Sequence, residues 1–412
     1  MKESLSPKDQ FPPVHNQNFF HLAAIQSAGI GLSVVMLGDQ LTRKYGAGVA
    51  IPSLLIGNLV LWLIGMTIIS MVLDYRINAI QNVKDYLGKY GGMLTALLLL
   101  FAFLNWFVHQ IHTSTTSLAT LFHLELPQKR ELLIRIGAVL GCLSALLAIG
   151  GIRLLKWAAV IALPLLMLYH FYAMFISSAS ISPPLELGCS FVGVISAILI
   201  LLPGVINLPT FFRHSLSRAD SYLALTVMMF LISFFQVTSI WIQFTQPAIH
   251  SALFSWTTAG YIVLTLVLVN LLNIYFASAA WETFIPRFEG AKGHAIIGLL
   301  GTAVYTFIQV SSPVYFFEDL ANAYIATLGV VMLISFLVRT IVRHRPRTFE
   351  KLINGTCWLF GCVVATVMEM KSLGNGVNAL LGGVGASSLF FLVVIFVEET
   401  VWSAKRIWRK PE

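Results

Sequence analysis

Asn105-Trp-Phe-Val-His-Gln-Ile-His112 places a knot of polar and aromatic side chains inside an apolar run that begins near Met93. On a helix Trp106 and Gln110, four apart, share a face, and Asn105, His109 and His112 form the adjoining stripe. A polar group left unpaired in hydrocarbon costs several kcal/mol, so such a face turns toward other helices or a watery cavity. The stretch therefore predicts a ligand wall inside a membrane-embedded helical bundle.

The surrounding chain has the composition this requires. Its 412 residues are 57% hydrophobic and only 11% charged, with mean hydropathy +0.82. These values exceed the range of soluble domains and imply repeated membrane spans. The net charge of +8 does not indicate nucleic-acid binding, because the basic residues cluster in short segments between apolar runs, where membrane topology accounts for them. The four cysteines, Cys142, Cys189, Cys357 and Cys362, lack CxxC spacing and read as small core residues.

Apolar runs predict twelve spans, at about 22–38, 47–73, 93–113, 132–150, 154–178, 188–207, 221–244, 259–281, 294–311, 320–341, 354–369 and 378–402. With the amino terminus inside, only Arg43, Lys44, Lys129, Arg130, Arg135 and Lys371 of the 26 Lys and Arg residues lie outside. That bias supports an even number of spans with both termini cytoplasmic, in a plasma (inner) membrane. The polar start, Met1 to Asn18, reads as a cytoplasmic tail because no apolar h-region precedes a cleavage site. Between the second and third spans, Asp74 to Lys89 has apolar residues at partly helical spacing, which predicts a short interfacial helix; an ordinary loop is the alternative.

Three spans carry features that plain spans do not. In the first, Gln26, Ser27, Gly29, Gly31 and Ser33 interrupt the apolar run and favour unwinding at Gly29-Ile-Gly31, with close glycine packing as the alternative. The sixth ends in Leu201-Leu-Pro-Gly-Val-Ile-Asn-Leu-Pro-Thr-Phe-Phe-Arg213, where Pro203, Gly204 and Pro209 predict a mid-membrane break, with Pro209 merely ending the helix as the alternative. In the eighth, Asn270 and Asn273 share a face and offer amide donors and acceptors to a planar polar ligand, or serve as helix glue. Enzyme chemistry has no footing: no GxSxG, HExxH or GxxxxGKS arrangement occurs. His109 and His112 are three apart but lack a third ligand, so no metal site and no cofactor are assigned.

Leu54-Leu-Ile-Gly-Asn-Leu-Val-Leu61, Trp106-Phe-Val-His-Gln110, Asn207 through Phe211 with Arg213, and Asn273-Ile-Tyr-Phe-Ala-Ser278 together resemble the nucleobase-cation symporters, which include cytosine, purine and hydantoin permeases. The resemblance implies an all-α polytopic fold of the leucine-transporter type, with inverted repeats at 21–178 and 187–341 forming a ten-helix core. Two further helices occupy 342–402, between cytoplasmic tails at 1–20 and 403–412. It also implies that Trp106 stacks on a substrate ring, that Gln110 hydrogen-bonds the ring edge, and that Asn273 takes the role of the helix-eight Asn. With Gln26, Gly29, His109, Leu201, Gly204 and Asn270, these make the candidate substrate site.

The departures from the family are specific. Thr210-Phe-Phe-Arg213 stands where the family signature begins with Asp, and Leu201 aligns where an aromatic residue often sandwiches the base. Where sodium-coupled relatives have a Ser/Thr pair on helix eight, Val267 and Leu268 offer no side-chain oxygen. A degenerate sodium site near Gly29, Gly31, Val267 and Leu268 follows, with proton coupling or facilitated diffusion favoured. His109 is the candidate proton carrier, with a packing role as the alternative. The expected function is alternating-access transport of a small planar nitrogenous solute, with the lipid bilayer as a further partner and no nucleic acid. An amino-acid or amine carrier of the same core is one alternative; a non-transporting sensor or scaffold that has lost the signature residues is another.

The topology is tested at Gln246 to Thr257, a segment without Lys or Arg assigned to the outside. A cysteine placed at Ser251 should react with an impermeant thiol reagent in intact cells, and labelling from the cytoplasmic side alone would reverse the orientation.

Overall fold

A computed structural model describes residues 17–73, 77–124, 128–177, 187–242, 252–288, 290–311, 316–341, 349–372 and 376–408. Among them extended backbone pairs at one isolated bridge, Gln17 with Ser215, and the rest is built of helices. These are α1 (Phe19–Ser27), α2 (Leu32–Tyr45), α3 (Ala47–Val72), α4 (Ala79–Leu121), α5 (Gln128–Ala148), α6 (Gly151–Ser177), α7 (Phe191–Ile206) and α8 (Pro209–Phe212). They continue with α9 (Arg218–Ile242), α10 (Ala252–Trp281), α11 (Ala291–Ser311), α12 (Phe316–Ile341), α13 (Glu350–Ser372) and α14 (Gly376–Trp408). Eleven stretches are long and apolar enough to cross a bilayer, and the bent pair α1–α2 makes twelve. The segment around Gln246 and Ser251 lies outside the described residues, as do both chain ends.

The first span is broken where its glycines are. Asn18 caps α1 by accepting a hydrogen bond from the His21 N–H. The helix stops at Ala28, and α2 departs from it at 66°. Close packing accompanies this unwinding: a Cβ on Gly29 would stand 2.9 Å from Leu272, and one on Gly31 2.9 Å from Gln110 Oε1. Both readings of these glycines therefore hold. At the far end Arg43 and Lys44 occupy the last turn of α2, where the helix dipole favours cations, and Gly46 at φ 81° ends it.

The sixth span corrects an expectation. Pro203 and Gly204 lie inside α7, which continues unbroken to Ile206. A proline removes one N–H, and the next turn is kept because the Asn207 N–H reaches the carbonyls of Pro203 and Gly204 at 3.2 Å. The interruption falls instead at Asn207-Leu208, before Pro209 starts α8 in the first-turn position that tolerates it. Thr210, at the site of the missing signature Asp, is buried and donates to Asn207 Oδ1 at 2.8 Å. Thr210 thus caps the break from within.

A helix occupies the expected stretch between the second and third spans, with a shifted start. Asp74 to Arg76 lie outside the described residues; the helix begins at Ala79 behind a reciprocal Asn78–Gln81 capping box and turns into the span at Gly88, φ 78°. Its Val83, Tyr86 and Leu87 pack against Leu328, Met332 and Trp358 of α12 and α13. The cysteines divide: Cys357 is buried, Cys142 and Cys362 half-buried, and Cys189 is exposed, which corrects its reading as a core residue.

Packing sorts the helices into two walls. α1, α2, α3, α7 and α9 pack chiefly on one another, and α4, α5, α10 and α11 form the second group. α6 and α12 touch both walls, α14 joins chiefly through α12 and α13, and α13 packs on both α12 and α4. Small residues permit the tight approaches, as expected where lipid supplies no hydrophobic drive between helices. A Cβ on Gly57 would stand 2.7 Å from Ala197 Cβ, and one on Gly38 would run into the Gln236 carbonyl oxygen. Backbone cannot yield as a side chain does, so Gly38→Ala should destabilise the protein by about 1–3 kcal/mol. An unchanged melting temperature in detergent would contradict the α2–α9 contact.

Candidate functional site

The two walls enclose a cavity of about 80 Å³ beside the break in the first span. A water requires roughly 10–15 Å³ of such space, so the cavity has room for several waters or one compact solute. Gln26 and Gly29 approach from the first span, Phe103, Trp106 and Gln110 from α4, and Leu201, Pro203 and Gly204 from α7. Phe211 of α8, Met228 and Ile232 of α9, and Val269, Leu272, Asn273 and Phe276 of α10 complete most of the lining. Helical spacing puts Phe103, Trp106 and Gln110 on one face of α4, and Val269, Asn273 and Phe276 on one face of α10.

The polar groups of this lining are amides, and several are unsatisfied. Gln110 Nε2 donates to Ser33 Oγ at 3.1 Å, while its Oε1 is buried without a hydrogen-bond partner. Neither amide atom of Gln26 has one, although the residue is 4% exposed. A buried, unpaired donor or acceptor costs about 1–3 kcal/mol. Three such atoms belong to residues that line this one cavity. Asn273 donates to Asn270 Oδ1 only at 3.5 Å, the outer limit of a hydrogen bond.

One end of the cavity is floored with aromatic rings. Phe276 lies 4.8 Å from both Phe103 and Phe211, and Phe211 stacks on Tyr275 at 5.2 Å. These rings come from α4, α8 and α10, and α8 itself packs on α1 and α3 of one wall and α4 of the other. At the indole, Trp106 meets the His109 ring edge-on at 5.6 Å. The lining contains no charged or titratable side chain.

Of the sequence-derived site residues, Trp106, Gln110, Gln26, Gly29, Leu201, Gly204 and Asn273 come together around the cavity. His109 and Asn270 are not in its lining: His109 lies half-buried beside Trp106, and Asn270 is buried behind Asn273. Beside the glycine break the nearest α10 side chains are Leu272 and Val269, in place of the aligned Val267 and Leu268, and they too offer no oxygen. Sequence reasoning missed Phe103, Phe211 and Phe276. Phe103 lies three residues before Trp106 and Phe276 three after Asn273, so extending each polar face by one turn would have found two of them. Among the described residues no group of three or more His, Cys, Asp or Glu is placed to hold a metal ion.

No family model and no curated protein matches the chain in sequence. Among solved structures, the inward-facing conformation of Mhp1 matches with a TM-score of 0.60 at 16% identity, covering 97% of this chain and 96% of that one. A manganese transporter of Eremococcus coleocola, in complex with an aromatic bis-isothiourea substituted compound, matches with a TM-score of 0.55 at 12% identity and 95% coverage of both chains. The fold shared with these structures is the leucine-transporter-type fold.

The unpaired atoms of Gln26 generate a test. Replacing its amide by an apolar side chain of similar size removes two unsatisfied groups, so Gln26→Leu should raise the stability of the ligand-free protein by about 1 kcal/mol or more. The same variant should lose any stabilisation by solute. A drop in ligand-free melting temperature would show that the Gln26 amide is satisfied within the protein.

Proposed function

We propose that this protein is a secondary transporter working by alternating access on a small, planar, neutral solute whose edge carries both hydrogen-bond donors and acceptors, as nucleobases and related lactams and ureides do. One observation carries the reading: three buried amide atoms of Gln26 and Gln110 lack partners beside a cavity walled by Trp106 and free of charged side chains. A ligand N–H would satisfy Gln110 Oε1, and an adjacent carbonyl and N–H would satisfy Gln26. Trp106 supplies a stacking face. The aligned aromatic position on α7 is Leu201, so stacking comes from one side only and a less aromatic ring suffices.

The same lining argues against two other cargoes. A zwitterionic amino acid would bring two charges to side chains that carry none, and a divalent cation would find no carboxylate or imidazole to offset its desolvation. A sensor built on this fold would bind the same solutes without moving them. For coupling, the apolar Val269 and Leu272 beside the glycine break favour a proton-coupled or uncoupled mechanism over sodium. The proposed setting is the plasma membrane, with both termini cytoplasmic.

A thermal-shift screen of nucleobases, hydantoins and amino acids on purified protein should find stabilisation by the neutral cyclic amides alone. At a concentration 100 times its Kd a ligand adds about 2.7 kcal/mol. Gln110→Ala should weaken binding by roughly 1–3 kcal/mol, and Trp106→Phe less than Trp106→Ala. Uptake of the stabilising solute into proteoliposomes separates transporter from sensor, and stimulation by a sodium gradient alone would refute the coupling assignment. Stabilisation by amino acids with none by nucleobases would overturn the substrate class.

A further inference from the structure

Away from the aromatic floor, where α9 finishes and α10 begins, one imidazole ties three helices together. His170 of α6 is fully buried. Its Nδ1 lies 2.7 Å from Thr238 Oγ1 on α9, and its Nε2 lies 2.8 Å from the Tyr261 hydroxyl on α10. The direction of each bond follows from the neighbours. The Thr238 hydroxyl donates its one hydrogen to the Phe234 carbonyl at 2.7 Å, so toward the ring it can only accept. Nδ1 therefore carries the ring hydrogen, and Nε2 accepts from Tyr261. Beside this pair the Tyr169 ring stacks on Tyr261 at 4.3 Å, and its hydroxyl meets Thr258 of α10 at 2.9 Å.

The two hydrogen bonds reach opposite walls. α9 packs with α1, α2 and α3, α10 packs with α4, α5 and α11, and α6 touches both α9 and α10. Along α9, Thr238 is six residues beyond the cavity-lining Ile232, and along α10, Tyr261 is eight residues before Val269. At 1.5 Å per residue the imidazole therefore lies about 9–12 Å beyond the cavity. Opening the cavity toward this end separates the walls here. Hydrogen bonds weaken steeply beyond about 3.2 Å, so a parting of less than one ångström breaks at least one of the two.

We infer that His170 is a clip linking the two walls in series, which holds this end of the cavity shut and must release for it to open. In the proposed topology this is the extracellular end. The inference rests on the alternating-access reading for its purpose, but its test does not depend on solute. A clip in series fails when either link is lost, so removing the bond to one wall has the same effect as removing both. A residue that merely stabilises the bundle would alter melting temperature and leave access to the cavity unchanged.

The experiment places a reporter cysteine at the cavity-lining Val34 in a chain whose four native cysteines are alanine, and follows its labelling by an impermeant thiol reagent added outside intact cells. Thr238→Val, Tyr261→Phe and His170→Phe should each raise the labelling rate about tenfold, the population shift produced by losing one or two net hydrogen bonds. Thr238→Val combined with Tyr261→Phe should label no faster than either alone. Tyr261→Phe keeps the ring stacked on Tyr169 and so guards against misfolding of the histidine variant. Labelling at the unsubstituted rate in Thr238→Val and Tyr261→Phe overturns the clip, as does additivity of the two. Thermal shift with nucleobases on the same proteins tests the transport reading separately, since a chain that binds no solute can still show the labelling change.

Discussion

A bilayer offers buried polar groups no partner, and the arrangement of this chain follows from that constraint. Amides scattered through three apolar spans, Gln26, Gln110, Asn270 and Asn273, are all buried inside the bundle. Most buried polar atoms of the protein are satisfied locally; Thr115, Thr265 and Thr302, for example, donate to carbonyls of the preceding turn. Gln26 and the outer edge of Gln110 are exceptions, and they meet at one cavity. Other buried polar atoms among the described residues also lack a partner, but these three face a cavity, and they are the groups that the proposed solute would satisfy.

Placing those amides depends on close backbone approach. Without side chains at Gly29 and Gly31, the broken first span comes against Leu272 and the Gln110 amide. Gly38 then brings α2 onto the α9 backbone, so the wall that carries Gln26 also positions Met228 and Ile232. Across the cavity, α4 and α10 supply the indole, the second amide and two of the floor rings as one packed unit. Between the walls lie the aromatic floor, the Gln110–Ser33 hydrogen bond and the His170 hydrogen bonds.

Much of this was legible in the chain. Run length and the placement of Lys and Arg predict the spans, and an unwound first helix follows from two glycines because glycine alone combines backbone freedom with close approach. The sixth span was misjudged because a proline counts as a breaker in sequence, whereas here Pro203 loses one N–H within a helix that continues around it. The actual interruption needs Asn207, Pro209 and Thr210 acting together. His109 was grouped with the ligand stripe by spacing, yet it lies about 60° around the helix from Trp106 and turns off the cavity. Phenylalanines in an apolar run give little contrast, so of the floor only Phe103 and Phe276, one turn from Trp106 and Asn273, were within reach of the sequence pattern. His170 was equally hidden, because its partners lie 68 and 91 residues away and leave no local pattern.

The unpaired amide edge is tested most directly by determining the structure with a bound solute, chosen as the nucleobase or hydantoin that most raises the melting temperature. Density should show the ring against Trp106, with its N–H on Gln110 Oε1 and its remaining edge on the Gln26 amide. A solute bound elsewhere, or bound in the cavity with Gln26 and Gln110 Oε1 still unpaired, would contradict the assignment of these amides as the recognition edge.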